Sequence, residues 1–337
     1  MGILKSKRKV AINGFGRVGR AAFKAALQNK NVEIVAINDL TDTKTLAHLL
    51  RYDTVYGKFS LPVAATEREL IVNKKKYPVF SQKDPEKLPW RDLGVDVVIE
   101  STGFFTKGAD AARHLKAGAK RVIISAPAKD ETTPTYVLGV NTKGGVKEGV
   151  VSNSSCTTNS VAPVAAIIHA AFGIEKAMLT TIHSYTADQN LVDGPHKDLR
   201  RARAAAHNIV PTTTGAAIAT TKTIPELKGK FDGIALRVPT ICGSLSDFTI
   251  VLKRTATVDE VNDVFRKAAK SPAWQNILEI TDEPLVSSDI IGNTHSTIVD
   301  LSFTQVVGGN LLKVLAWYDN ELGYASRLVD LVGQIVI

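Results

Sequence analysis

The run Val10-Ala11-Ile12-Asn13-Gly14-Phe15-Gly16-Arg17-Val18-Gly19 constrains this chain more than any other feature. A buried-strand segment leads straight into three glycines, and Ala21 to Leu27 has helical character. Val32 to Ile37 reads as a second strand, closed by Asn38-Asp39. Strand, glycine loop, helix and strand within roughly thirty residues make one βαβ unit, and such units build parallel sheets. The first glycine permits the tight turn, the second lets a pyrophosphate approach the backbone, and the third lets helix and strand pack closely. The helix start offers the phosphates free N–H groups and a favourable dipole. Asp39 stands about twenty residues on, where the dinucleotide fingerprint places an acid. Its carboxylate accepts from ribose hydroxyls and repels a 2′-phosphate, so NAD is favoured over NADP. Arg17 and Lys44 are nearby cations that soften this discrimination.

Short apolar runs repeat the theme at Val95 to Ile99, Arg121 to Ile124 and Tyr136 to Val140, with helical patterns between several of them. The expected architecture here is α/β, a doubly wound (Rossmann) parallel sheet. Beyond residue 156 the runs lengthen: Ala177 to His183, Gly233 to Val238, Asp247 to Leu252, Ile298 to Val306 and Leu311 to Trp317. Val307-Gly308-Gly309-Asn310 joins the last two as a hairpin turn. Val258 to Ala269 has helical spacing with Thr257 as cap, and Glu321 to Ile335 is helical again. We expect residues 1–155 and 319–337 to form a dinucleotide-binding domain. Residues 156–318 would form an α+β catalytic domain with a mostly antiparallel sheet.

At 337 residues and 44% hydrophobic, the chain is long enough for two cores. No apolar stretch reaches the roughly 18 residues needed to span a bilayer, and the basic N-terminus lacks an apolar core of signal-peptide type. Met1 to Ser6 fits a loose myristoylation pattern, but a plain extension is the favoured reading. Cys156 and Cys242 cannot form a disulfide framework, which suggests a reducing, cytoplasmic setting. The formal charge of +9 suits solubility or attraction of small anions. No aromatic-plus-basic stripe points to nucleic acid. Neither a metal site nor a membrane partner is expected.

Cys156 follows the strand-like Gly149 to Ser152 and precedes an apolar face of Val161, Val164, Ala165 and Ile168 at helical spacing. That places a thiol at the first turn of a helix, whose positive end favours thiolate. Cys242 reads as a packing residue. His183 ends an apolar strand; it is either a partner for the thiol or a core histidine satisfied by a backbone carbonyl. His48, His114, His169 and His295 fit core or surface placement.

The chain closely resembles phosphorylating glyceraldehyde-3-phosphate dehydrogenase of the NAD-dependent, bacterial type. The resemblance rests on the glycine loop, Ser154-Ser155-Cys156-Thr157-Thr158-Asn159, His183-Ser184-Tyr185-Thr186, Asp198 to Ala205, Pro211 to Ala217, Leu236-Arg237-Val238-Pro239 and Trp317 to Glu321. It implies that Cys156 attacks an aldehyde while His183 acts as acid or base and oxyanion donor. A thioester then forms, and inorganic phosphate cleaves it. It implies that Thr186, Asp188 and Arg237 hold the substrate phosphate, with Asp188 orienting Arg237 or a hydroxyl. Ser155, Thr157, Arg201, Thr214 and Gly215 would hold the attacking phosphate. The cofactor contacts it implies are Gly14, Phe15, Gly16, Arg17, Val18, Gly19, Asp39, Leu40, Lys83, Ser101, Thr102, Gly103, Ser125, Asn320 and Tyr324. It also implies a homotetramer, with residues 184–206 as an ordered loop reaching toward a neighbour's cofactor. Leu40 and Pro195 match the NAD-preferring pattern, whereas Gly194 is smaller than usual and weakens steric exclusion of NADP. Ser160, Leu322 and Thr240 to Leu245 also depart from the common pattern. Three rival readings remain: an erythrose-4-phosphate dehydrogenase, a cysteine hydrolase using Cys156 and His183 without a nucleotide, and a nucleic-acid-binding protein.

Overall fold

The computed structural model describes residues 7–337, so the Met1 to Ser6 pattern lies outside the described residues. The chain divides into two compact units. The first contains the residues up to Tyr136 together with Gly144–Ser154 and Ala325–Ile337; the second contains Val137–Lys143 and Ser155–Tyr324.

The first unit is organised by one sheet, in the strand order Val150–Ser152, Arg121–Ile124, Val97–Glu100, Arg8–Asn13, Val32–Asn38, Lys75–Phe80, Glu69–Val72, Val63–Ala65. Pairing is parallel from the first of these to Lys75–Phe80. The central strand Val97–Glu100 is buried throughout, as expected for a strand covered on both faces. Ala11, Val98 and Val122 meet Trp90 and Val95 in one apolar cluster. The last three strands form an antiparallel extension that the sequence reading missed. They are short, and the hairpin between the last two in sequence turns at Asn73 and Lys74, both in the left-handed region (φ 47° and 68°).

Tyr136 to Val140 is a correction: it is not a strand. Asn141 Oδ1 accepts from the Val137 N–H (2.9 Å), and Gly139 takes a positive φ of 78° with the Trp274 ring against its α-carbon. Val140 packs on the core of the second unit, which is why the chain division falls at 137 rather than at 155 alone.

The second unit has a seven-stranded sheet in the order Val210–Thr213, Phe231–Val238, Ile174–Ser184, Ser244–Leu252, Leu311–Tyr318, Thr297–Val307, Leu278–Thr281. Two pairings are parallel, Ile174–Ser184 with Phe231–Val238 and Leu278–Thr281 with Thr297–Val307; the rest are antiparallel. Strict alternation of burial along Ser244–Leu252 marks one apolar face. Phe248, Ile250 and Val314 from that face pack with Val164, Ile168 and Phe265. The helix Cys156–Phe172 is buried almost all round, so it is an interior helix of this unit. Thr257 and Glu260 form a reciprocal capping box at Val258–Ala269. Gly308 and Gly309, at φ 60° and 81°, turn the hairpin between the two long strands. Helix Leu322–Gln334 is started by Asp319, whose Oδ1 accepts from the Glu321 and Leu322 N–H groups (both 2.8 Å).

Candidate active site

Each glycine of the loop does a distinct steric job in the first unit. Gly14 has a φ of 90°, and a Cβ there would lie 2.6 Å from the Thr102 nitrogen. A Cβ on Gly19 would lie 2.1 Å from the Gly14 carbonyl oxygen, so helix Arg17–Gln28 packs on the loop only through glycine. Gly16 meets nothing within 4 Å. This is the open approach that a pyrophosphate needs at a helix start. Beside it lies a cavity of 510 Å³ lined by Asn13, Gly14, Gly16, Asn38, Asp39, Leu40, Gln82, Lys83, Ser101, Thr102, Phe104 and Phe105. The residues present therefore fit a dinucleotide.

Asp39 is held ready rather than loose. Its Oδ2 accepts from the Phe15 N–H (2.6 Å) and its Oδ1 from the Thr41 N–H (2.9 Å). Phe15 itself is a core residue, edge-on to Phe23, and contributes only its backbone to the loop. Val18 is half-buried beside it. Ser101 donates to the Asn13 and Gly14 carbonyls (3.1 and 2.7 Å) and so ties the loop to the next strand. Gly103 is exposed at φ 76°, and Ser125 is fixed by its N–H to the Glu100 carbonyl (2.9 Å). Two expected cations are elsewhere. Arg17 pairs with Asp53 (3.0 Å) and lies over the Tyr56 ring, while Lys44 lines a separate groove with His48 and Arg51.

In the second unit, Ser155 caps helix Cys156–Phe172 by accepting from the Thr158 N–H (3.1 Å). Cys156 Sγ lies 3.4 Å from His183 Nε2. His183 Nδ1 lies 2.6 Å from the Ser184 carbonyl oxygen, which can only accept. The proton therefore sits on Nδ1, and Nε2 is the bare nitrogen that accepts from the thiol. The carbonyl that the core reading called for is present, and the nitrogen it leaves bare faces the thiol. Arg237 is the in-register neighbour of His183 on the adjacent strand. Its Nη1 stands 2.9 Å from Nδ1 and donates to the Ser184 carbonyl and to Thr186 Oγ1 (3.1 and 3.3 Å).

Two influences oppose each other at this pair. Burial, then the Arg237 cation, pull His183 down to about 3. Burial also pushes the Cys156 thiol up, against the pull of Arg237 and of hydrogen bonds from Thr157. The pull of the helix start toward thiolate thus acts against desolvation.

Asp188 pairs with Arg201 and not with Arg237. Arg201 also donates to Thr212 Oγ1 and the Thr213 carbonyl (2.9 and 3.2 Å), and Asp198 Oδ2 accepts from Thr212 (2.6 Å). Thr214 Oγ1 accepts from the Ala216 N–H (3.2 Å), and Gly215 is the exposed residue before helix Ala216–Thr223, with nothing within 4 Å of its α-carbon's open side. Thr157 is buried, with its hydroxyl 3.0 Å from Tyr318. Asn320 Oδ1 accepts from the Gly243 N–H and Ser244 Oγ (3.2 and 2.8 Å), which aims its amide nitrogen away from them. Tyr324 is fully packed, and burial raises its phenol well above the usual range. Cys242 is more than packing, since its Sγ donates to Asp319 Oδ1 (3.4 Å).

Tyr318 was missed. Its hydroxyl joins Thr157 to Thr181 (3.0 and 2.8 Å), and its ring stands edge-on to His183 at 6.0 Å. The only signal in the sequence was its position at the end of an alternating strand, one residue before Asp319-Asn320.

Residues 8–108 match the model of the glyceraldehyde 3-phosphate dehydrogenase NAD binding domain, and residues 155–320 match that of the C-terminal domain. Glyceraldehyde-3-phosphate dehydrogenase 1 of Bacillus cereus is 55% identical over 97% of this chain and 98% of its own length. The Geobacillus stearothermophilus enzyme of that name is 53% identical over the same shares. That of Thermotoga maritima is 56% identical over 96% of this chain and 97% of its own. The chain belongs to the glyceraldehyde-3-phosphate dehydrogenase family. Within the family's NAD binding domain fall Gly14, Gly16, Gly19 and Asp39, and within its C-terminal domain fall Cys156, His183, Arg201 and Arg237.

Two outcomes follow from this geometry. Arg237→Met removes the cation that lowers the thiol, so the pH midpoint for iodoacetamide alkylation of Cys156 should move upward, and at pH 8 the variant should react more slowly than the parent. Gly19→Ala should cost about 1–3 kcal/mol in chemical denaturation through overpacking. Gly16→Ala should change stability by under about 0.5 kcal/mol yet weaken NAD binding in calorimetry by roughly tenfold or more, because its Cβ fills the phosphate approach.

Proposed function

We propose that this chain oxidises D-glyceraldehyde 3-phosphate to 1,3-bisphosphoglycerate with NAD and inorganic phosphate, a step of glycolysis and gluconeogenesis. The observation that carries the reading is the thiol of Cys156 facing a bare imidazole nitrogen of His183, beside two ordered arginines. His183 takes the thiol proton as Cys156 attacks the aldehyde carbon, forming a hemithioacetal. The Cys156 backbone N–H and the now protonated His183 Nε2 donate to the developing oxyanion. NAD held by Gly14, Gly16, Gly19 and Asp39 would supply the hydride acceptor, and His183 would take the hydroxyl proton as the hemithioacetal becomes a thioester. Phosphate then attacks the thioester; the C–S bond breaks, and the thiolate regains its proton.

Arg237 with Thr186 suits the substrate's phosphate, and Arg201 with Thr214 and Gly215 suits the attacking phosphate, because a guanidinium binds phosphate oxygens in pairs. Asp188 serves by holding Arg201 in place. Asn320, with its oxygen already engaged, presents an amide hydrogen to the nicotinamide carboxamide, and Tyr324 packs alongside.

The names of the relatives disfavour erythrose 4-phosphate as the aldehyde. The nucleotide-free hydrolase reading leaves the match to an NAD binding domain without a purpose. We further read the protein as a cytoplasmic homotetramer. Two free cysteines suit a reducing compartment. Leu191, Val192 and Leu199 are 72–80% exposed, and Met178, Ile234 and Phe303 lie exposed on sheet strands, an apolar surface that self-association would cover.

NADH production from glyceraldehyde 3-phosphate should require phosphate or arsenate; turnover indifferent to both anions defeats the reading. Cys156→Ser should lose turnover by several orders of magnitude while still binding NAD, because a serine hydroxyl is a poorer nucleophile at neutral pH. Light scattering should give a mass of four 36.3 kDa chains. Charge placed on the exposed sheet strands by Met178→Glu with Ile234→Lys should lower that mass, and a monomeric parent would refute the assembly.

A further inference from the structure

The strand ends beneath the dinucleotide cavity share one polar rung. Asn38, Asn13 and Glu100 are in-register neighbours on three adjacent parallel strands, and each is at most 5% exposed. The hydrogen-bond directions along this rung can be read one at a time. The Gln82 N–H donates to Asn38 Oδ1, and Asn38 Nδ2 donates to the Gln82 carbonyl (both 2.9 Å), so the Asn38 amide has one orientation. Asn38 Nδ2 also donates to Asn13 Oδ1 (2.7 Å), which orients the Asn13 amide in turn. Asn13 Nδ2 then donates to Glu100 Oε2 (2.5 Å). From the other side, the Trp90 indole N–H donates to His114 Nδ1 (2.9 Å). That leaves the imidazole proton on Nε2, which donates to Glu100 Oε2 (3.0 Å). The Thr102 N–H donates to Glu100 Oε1 (2.9 Å), and the Thr102 hydroxyl reaches the same oxygen.

Four of these bonds end on Glu100 as acceptor, two on each oxygen. A carboxylate exposed by only 2% and met by four neutral donors is expensive to bury. An amide in its place would turn its NH2 either on Asn13 and His114 or on the Thr102 N–H, so a donor faces a donor in both orientations. Glu100 does not itself line the cavity, whereas Asn13, Asn38, Gln82 and Thr102, all tied into this network, do.

We infer that Glu100 is a positioning residue for the cofactor. Its carboxylate locks the ends of three strands from beneath and so sets the shape of the cavity that receives NAD, without reaching the ligand. This rests on the reading of that cavity as an NAD site.

The test is NAD calorimetry and steady-state kinetics on the full-length protein. Glu100→Gln should raise the Kd and KM for NAD by roughly tenfold or more, with kcat at saturating NAD within about threefold of the parent and the alkylation rate of Cys156 unchanged. The decisive variant is Asn13→Asp combined with Glu100→Gln. Asn13→Asp keeps an acceptor toward Asn38 and puts its new oxygen where Asn13 Nδ2 stood, facing the introduced amide and 3.3 Å from His114 Nε2. The carboxylate moves one strand over, and every donor keeps an acceptor. The double variant should recover NAD affinity to within a few-fold of the parent. If Glu100→Gln does not fold, the double variant must still fold and bind. Parental affinity in Glu100→Gln, a fall in kcat without a rise in KM, or a double variant no better than the single each overturn the inference. A parent protein that binds no NAD overturns the cofactor reading itself, and this one with it.

Discussion

The guanidinium of Arg237 is the interaction on which the catalytic centre depends. It enters on the strand paired in parallel with the one that ends at His183, so backbone register alone puts the two side by side. From there it lowers both groups it faces, drawing Cys156 toward thiolate and making His183 harder to protonate. The two effects oppose each other in the proposed transfer of a proton from sulfur to nitrogen. Burial holds the thiol above its usual value and contributes to drawing His183 down to about 3. The transfer needs an acceptor within reach and correctly tautomerised, and the Ser184 carbonyl provides the tautomer.

The glycine loop was legible in the sequence because each glycine answers a local steric demand. Its neighbours in space, the Gly14 carbonyl and the Thr102 backbone, come from the same few strand ends that the βαβ pattern announces. The hairpin at Gly308-Gly309 and the cap at Thr257 were legible for the same reason. The burial around the thiol was not. A helix dipole can be inferred from the residues that follow Cys156, but the burial that opposes it comes from packing around the sulfur, which no local spacing encodes. Tyr136 to Val140 misled in a similar way. Its apolar residues serve the second unit's core in a turn, and hydrophobicity alone does not say which core a run will join.

Partner choice was the other illegible part. Asp188 was expected to orient Arg237 or a hydroxyl, and its ion pair is with Arg201, thirteen residues along the chain. Thr157 was expected to face an anion, and its hydroxyl also lies against Tyr318, 161 residues away. The first outcome follows from strand register. Thr212 and Thr213 lie on the strand antiparallel to the one bearing Arg237, and they draw Arg201 along that strand. A motif names the residue types that a site requires, whereas the sheet decides which of them touch.

The carboxylates beside the proposed anion sites make sense on this footing. An arginine left to itself would sample many rotamers, and ordering it at the moment of binding costs free energy. Asp188 and Asp198, with Thr212 between Asp198 and Arg201, hold the guanidinium before any phosphate arrives. The cost is weaker net positive potential; the gain is a fork already aimed. Arg237 reaches the same end without an acid, held by the Ser184 carbonyl and Thr186. Its full charge therefore remains to act on the thiol and on whatever anion binds there. The difference divides the labour: the arginine beside the reacting sulfur keeps its field, and the one farther along the sheet gives up part of its field for position.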